Sequence, residues 1–300
     1  MCGIVGLFLK NRALEPQLGG LTATMLGTMC DRGPDSAGFA IYGSGDEGHI
    51  KLTVRSSEPD YDFNKLAETV SHDIESHVSP ELHGNHAVMT VAADHAAAAE
   101  EAIERLGGEG IEVFGRGTRM EIFKDIGRPN KVADRFHLEQ MTGSHAVGHT
   151  RMATESAVNA AGAHPFSTGI DQCLVHNGSL SNYNALRREL KRKGMEFQTQ
   201  NDTEVASVYL TWRMQQGASL GEALESSLND LDGFYTFVVG TENGFGVLRD
   251  PIACKPAVLA ETDDYVAFGS EYRALAALPG IEDAKVWEPE PATVYFWERS

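Results

Sequence analysis

The stretch "MCGIVGLF", residues 1–8, sets a cysteine directly behind the initiator methionine and follows it with glycine and a run of apolar residues. Chain ends are usually poorly ordered, so a thiol there has no fixed surroundings unless the residues after it are tied down. Ile4 to Leu9 is a short, continuous apolar run closed by Lys10, the pattern of a buried strand. Burying it would anchor Cys2. Removal of Met1 would then leave a thiol and an α-amine on one residue, two groups whose ordinary pKa values lie within about one unit of each other. Proton transfer between them is cheap near neutrality, so the amine can act as base to its own side chain. The competing reading of Cys2 is a small buried apolar residue.

Working outward, 300 residues with 42% apolar content suffice for one large domain or two small ones. The formal charge of -18, from 25 Lys and Arg against 43 Asp and Glu, argues against a nucleic-acid backbone or an anionic membrane surface as partner. The four cysteines are scattered, with neither the paired spacing of a zinc site nor the density of a disulfide scaffold, so a reducing, cytoplasmic compartment is expected. No apolar run approaches the roughly 20 residues that cross a bilayer. Gly3 to Leu9 is too short for a signal peptide, and Cys2 occupies the position where myristoylation needs glycine.

A helix is expected over Gln17 to Cys30, ending at the turn "RGPDS" before the strand "GFAIY". Between Ser57 and Arg128 the pattern gives a helix at Asn64 to His77, a strand "HAVMTVAA", a helix at Ala96 to Leu106 and strands "IEVFG" and "MEIFK", together a small α/β subunit. Then come strands "SHAVGHTR" and "CLVHN", helices near Asn182 to Lys193, Thr203 to Gln216 and Leu220 to Leu228, and a run of short strands from "FYTFVVG" to "ATVYFWE". Strands at both ends with helices between suggest stacked sheets covered by helices.

Several short motifs could carry chemistry. "HNG", Asn177 and Gly178 after His176, ends an apolar strand with an amide donor and a glycine that admits a close backbone N–H, a candidate oxyanion site; a plain Asn-Gly turn is the alternative. "GHTRMAT" offers Arg151, which could fork two N–H bonds onto a carboxylate or form a surface ion pair. "NDTEV" puts Asp202 at a helix start, as a cap or as acceptor of an ammonium. "RGPDSAG" offers Arg32 and Asp35 as an ion pair, and "AHPF" offers His164 as a packing histidine. A thiol, an oxyanion donor pair, a carboxylate clamp and an ammonium acceptor together describe an α-amino acid with a side-chain amide, and glutamine fits.

"CGIVG", "RGPDSAG", "GHTRMAT", "AHPF", "HNG" and "NDTE" occur in the order seen in class II glutamine amidotransferase domains, and most of the chain outside about 57–130 resembles that family. The resemblance implies an α+β fold, the four-layer αββα sandwich of N-terminal-nucleophile hydrolases, spanning residues 1–300 with a small α/β insertion at about 60–125. It implies that Cys2, exposed by loss of Met1, attacks the glutamine side-chain amide and forms a thioester that water hydrolyses. Asn177 and Gly178 match the family's oxyanion pair, Arg151 its carboxylate clamp with Thr154 close by, Asp202 its ammonium acceptor and Arg32 an arginine beside the nucleophile; His164 matches a structural histidine. Two stretches depart from the pattern. Met152 and Glu155 replace an aromatic residue and a histidine or glycine, and Ala253, Cys254 and Lys255 stand where a glycine and arginine are usual.

In such families the glutaminase supplies ammonia to a synthase. No phosphate-binding loop, sugar isomerase or iron–sulfur cysteine set is present in the sequence. The resemblance therefore implies a hetero-oligomer with a synthase subunit of the glutamate synthase type, N-methylglutamate synthase being named first, whose partner chain carries flavin and iron–sulfur cofactors while this chain needs no cofactor or metal. Two other readings remain: a stand-alone amide hydrolase of the same fold, and a catalytically weak docking subunit.

Overall fold

The computed structural model describes residues 2–152 and 158–299, apart from the side chain of Thr168. Among these residues three antiparallel sheets form. The first runs in the order Lys285–Trp287 (β15), Val258–Glu261 (β13), Tyr265–Gly269 (β14), Gly3–Leu9 (β1), His145–Arg151 (β8), Ser36–Tyr42 (β2) and Met120–Ile126 (β7). The second runs Thr293–Glu298 (β16), Gly244–Arg249 (β12), Gly233–Gly240 (β11), Gln172–Leu180 (β10) and Phe166–Gly169 (β9). The third, smaller sheet runs Val78–His83 (β4), His86–Ala92 (β5), His49–Ser56 (β3) and Ile111–Gly117 (β6).

Alternation along β1 shows why these sheets stack. Val5, Leu7 and Leu9 point into a core shared with helices Leu18–Thr28 (α1) and Pro129–Arg135 (α4). Ile4 and Phe8 point the other way, into a core shared with Val175, Val238, Phe245 and Val247 of the second sheet. Both faces are thus covered, which is why the run is apolar without interruption. Each fully buried side chain of this kind contributes about 1.5–3 kcal/mol, so the five apolar side chains hold the strand firmly. The far face of the second sheet, through Leu174, Phe237, Val239 and Leu248, packs on helices Asp202–Gln215 (α6) and Leu220–Asp230 (α7), with Tyr183–Arg192 (α5) beside α6. The layers read helix, sheet, sheet, helix, the four-layer αββα arrangement that the resemblance implies. Among the described residues no helix is long and apolar enough to cross a membrane.

The third sheet has its own core with helices Phe63–Asp73 (α2) and Ala96–Leu106 (α3). Several ties join it to the sandwich, two of them through carboxylates. Asp171, in the turn between β9 and β10, accepts from the backbone N–H groups of Thr118, Arg119 and Met120 at 2.8 to 2.9 Å. Lys51 of β3 pairs with Glu121 of β7 at 2.6 Å. Three local expectations need correction here. "MEIFK" is not part of the insertion: β7 pairs with β2 from Ser36 opposite Ile126 to Tyr42 opposite Met120 and so belongs to the first sheet. The expected helix to His77 stops at Asp73, because residues 78–83 form β4 against β5. The run His49–Ser56, given no assignment from the sequence, is the strand β3 at the centre of the small sheet.

At Gly6 the two large sheets approach closely: a Cβ there would lie 2.4 Å from the ring of Phe245. The ring is wholly buried and has no room to retreat. Gly6→Val should therefore destabilise the fold by about 1–3 kcal/mol through overpacking. Urea titration measures this, and a variant as stable as the parent would mean the sheets are not in contact at that point.

Candidate functional site

The site lies where β1 begins and β8 ends, beside Asn177 and Gly178, which lie within β10 and not, as the sequence suggests, at the end of a strand or in a turn. Gly3 of β1 is paired with Thr150 of β8, so Cys2 sits one step further along, beside Arg151. Cys2 is half-buried, and its Sγ is 4.0 Å from the carbonyl oxygen of Met152. Its backbone carbonyl accepts from two side chains of different layers: Arg32 Nε at 2.9 Å, from the turn after α1, and Asn177 Nδ2 at 3.2 Å, from β10. Two donors on one carbonyl fix the backbone of the residue that carries the thiol. The sheets meet at this carbonyl.

Arg32 is itself held. Its guanidinium pairs with Glu271, which also takes Arg273 Nε at 2.6 Å. The hydrogen bond and charge of Arg32, followed by Arg273, keep the Glu271 carboxyl below its ordinary range. Arg32 thus makes its ion pair with Glu271, a partner 239 residues away that no sequence motif singles out.

Asn177 alternates in phase with Cys173 and Val175, so it faces the space between the sheets, while His176 faces α6. One N–H of the Asn177 amide is spent on Cys2 and the second remains as a donor. Gly178 lies against the neighbouring strand so closely that a Cβ would be 2.0 Å from the carbonyl oxygen of Phe234. Only glycine fits there.

Arg151 ends β8 and is buried. Its guanidinium lies against Gly162, where a Cβ would stand 3.5 Å from Nη1. The Gly162 carbonyl in turn accepts from Asn201 Nδ2 at 3.4 Å. Asn201 is the N-cap of α6, accepting from the Thr203 backbone N–H at 2.9 Å, so Asp202 is not the cap. The Asp202 carboxylate instead reaches back to β10, accepting from the Leu180 N–H at 3.0 Å, with His176 Nδ1 at 3.8 Å. Two further residues brace this helix start. Glu204 accepts from the N–H groups of Gln198 and Thr199, and Arg187 donates to the carbonyls of Thr199 and Asn201. Thr154 and Glu155 lie outside the described residues. Among the described residues no group of three His, Cys, Asp or Glu side chains is placed to hold a metal ion.

A family model described as a glutamine amidotransferase domain matches residues 133–296. The glutamine amidotransferase-like protein GlxB of Rhizobium meliloti (strain 1021) is 60% identical over 299 residues, covering 99% of this chain and 98% of its own. The chain belongs to the class II glutamine amidotransferase family. A second relative, from Methanothermobacter thermautotrophicus and described as a glutamine amidotransferase, is 34% identical over 98% of this amidotransferase chain and 99% of its own. In fold, the amidotransferase chain is similar to glutamine phosphoribosylpyrophosphate amidotransferase from B. subtilis, solved with ADP and GMP: the TM-score is 0.63 at 20% identity, over 99% of this chain and 47% of that one.

Beside the candidate site lies a cluster of buried histidines. His164 Nε2 and His176 Nδ1 share the Thr203 hydroxyl at 2.8 and 2.9 Å, His149 stacks on His164 with centroids 4.0 Å apart, and His149 Nε2 meets the His176 carbonyl at 3.0 Å. Burial lowers the pKa of all three, that of His149 to about 3. His164 is therefore a neutral packing residue, as its sequence context implies. Because a histidine in the unfolded chain titrates near 6.5, the unfolded state takes up the protons first, and stability falls as pH drops below that value. The slope approaches about 1.4 kcal/mol per pH unit for each histidine held neutral. Urea midpoints measured from pH 7 to pH 5 should show this loss, and a flat profile would contradict the neutral cluster.

Proposed function

We propose that the chain hydrolyses the side-chain amide of glutamine with Cys2 as nucleophile. The observation that carries the reading is the shared grip on the Cys2 carbonyl by Arg32 and Asn177, which orders a residue at the chain terminus and leaves an amide donor beside its thiol. Loss of Met1 would free the α-amine as base. The thiolate attacks the amide carbon, and charge develops on the amide oxygen, where the second Asn177 N–H and the Gly178 N–H would receive it. Ammonia leaves with a proton, and water then cleaves the γ-glutamyl thioester to release glutamate. Arg151 would hold the α-carboxylate, with Thr154 beside it, and Asp202 the α-ammonium. Binding both charged ends selects a free amino acid over a peptide.

The ammonia would pass to a synthase subunit on a separate chain, in our reading one of the glutamate synthase or N-methylglutamate synthase type with its own flavin and iron–sulfur cofactors. The small third sheet with α2 and α3 is the surface we assign to that partner. Cross-linking of the assembled subunits should map onto residues 57–110, and cross-links confined to the sandwich would overturn this assignment.

For the chemistry, intact mass should show Met1 removed, and a glutamine analogue with an electrophilic side chain should label Cys2. Cys2→Ala should abolish glutaminase activity. Arg151→Ala should raise KM for glutamine about a hundredfold while changing kcat much less, since the clamp binds substrate and transition state alike. Active protein that retains Met1, or activity that survives Cys2→Ala, would sink the mechanism.

A further inference from the structure

Lys124 of β7 is only 3% exposed, in the edge strand of the first sheet. Its ammonium donates to three backbone carbonyls of one short segment: Ala161 at 3.3 Å, Ala163 at 3.0 Å and Pro165 at 3.2 Å. Three N–H donors meet three acceptors, so the charged form is fully used. The ammonium also lies 4.3 Å from the ring centroid of Phe114 and 4.6 Å from that of Phe166, faces that favour a cation. A lysine buried in this way is costly unless its charge is well satisfied, and all of its hydrogen bonds go to a single turn.

That turn is the one between the two charged residues of the site. Gly162 packs against the Arg151 guanidinium, its carbonyl takes Asn201 Nδ2, and Asn201 precedes Asp202. The His164 carbonyl passes so close to Gly38 that a Cβ there would be 2.3 Å from it, so the turn is pressed against β2 as well. Lys124 and Asn201 thus bond carbonyls of the same short turn.

We propose that Lys124 is a positioning residue for glutamine: by gripping the carbonyls of Ala161, Ala163 and Pro165 it sets the spacing between Arg151 and Asp202, and so the affinity for the amino-acid end of the substrate. The inference rests on the glutaminase reading above. It assigns Lys124 no part in the chemistry at Cys2.

The charged and titratable groups around Lys124 come from every neighbouring element. They are Glu112 on β6, paired with Arg55 on β3 at 2.9 Å, Glu204 on α6, His86 on β5 and His164 in the turn. Burial outweighs the two glutamates and lowers the pKa of Lys124 to about 7, whereas His86 stays neutral down to about 3. Deprotonation would leave two donors for three carbonyls and turn a lone pair toward an oxygen. The grip therefore weakens as pH rises through about 7, and glutamine affinity falls with it.

The test is steady-state glutaminase kinetics of the full chain from pH 6 to pH 8.5 for the parent, Lys124→Met and Lys124→Arg. In the parent, KM should rise about tenfold across this range. In Lys124→Met, KM at pH 6.5 should already be raised about tenfold and should vary little with pH, while kcat stays within about threefold of the parent. Lys124→Arg, always charged, should remove the rise in KM above pH 7. Backbone amides of residues 158–166 should exchange deuterium faster in Lys124→Met at pH 6.5. A folded Lys124→Met with parental KM and parental pH dependence overturns the inference. Should that variant not fold, a parental KM that is constant from pH 6 to pH 8.5 overturns it equally. A parent without glutaminase activity would instead sink the proposed function, and this inference with it.

Discussion

The burial of β1 on both faces is the constraint from which the rest of the structure follows. A nucleophile at a chain terminus, the role proposed for Cys2, is useful only if the terminus is ordered, and order at an end costs conformational entropy that few contacts there can offset. Here Val5, Leu7 and Leu9 lock into the helix layer and Ile4 and Phe8 into the layer between the sheets. Antiparallel neighbours on both sides, β14 and β8, supply the backbone partners. With the strand held, Cys2 needs only its own carbonyl fixed, and Arg32 and Asn177 do that from two different layers.

Around this point the structure separates groups that stay neutral from groups that keep charge. The three histidines beside the site are buried, two sharing the Thr203 hydroxyl and His149 meeting the His176 carbonyl, so they add shape and hydrogen-bond geometry without adding a titrating charge near neutrality. Asp202 is spared from capping because Asn201 takes that role, which frees its carboxylate to span the gap between α6 and β10. Arg187 and Glu204 work on the loop before α6 and fix where the helix begins. The result is a rigid backbone frame with a guanidinium at one end and a carboxylate at the other.

Much of this was legible in the sequence, for physical reasons that differ from element to element. β1 and β2 are largely apolar on both faces and β8 and β10 carry apolar runs, so each stands out; the bounds of α3 are legible because its alanine-rich run ends at a glycine. β3 was missed because "HIKLTVRS" mixes polar residues into a half-covered strand, and β4 because "VSPELH" carries a proline and mostly exposed side chains. "MEIFK" was recognised as a strand but given the wrong sheet, since proximity in sequence does not fix a pairing partner. At the site, Cys2, Asn177, Gly178, Arg151, Asp202 and Arg32 were each visible as short motifs. Glu271 and Lys124 were not, because their importance lies in partners that only the folded chain brings to them.

Lys124 also bears on how the insertion relates to the sandwich. The ring of Phe114 that covers its ammonium belongs to β6, the edge of the small sheet, whereas the carbonyls it grips belong to the turn beside Arg151. On the other side of the same junction, Asp171 takes three N–H groups from the β6–β7 connection and holds the insertion to the second sheet. Protein interiors are packed too densely to absorb a displacement locally, so β6 cannot shift without disturbing either the lysine or the aspartate. The placement of the insertion and the geometry of the turn between Arg151 and Asp202 are therefore a single packing problem, with Lys124 as the side chain common to both.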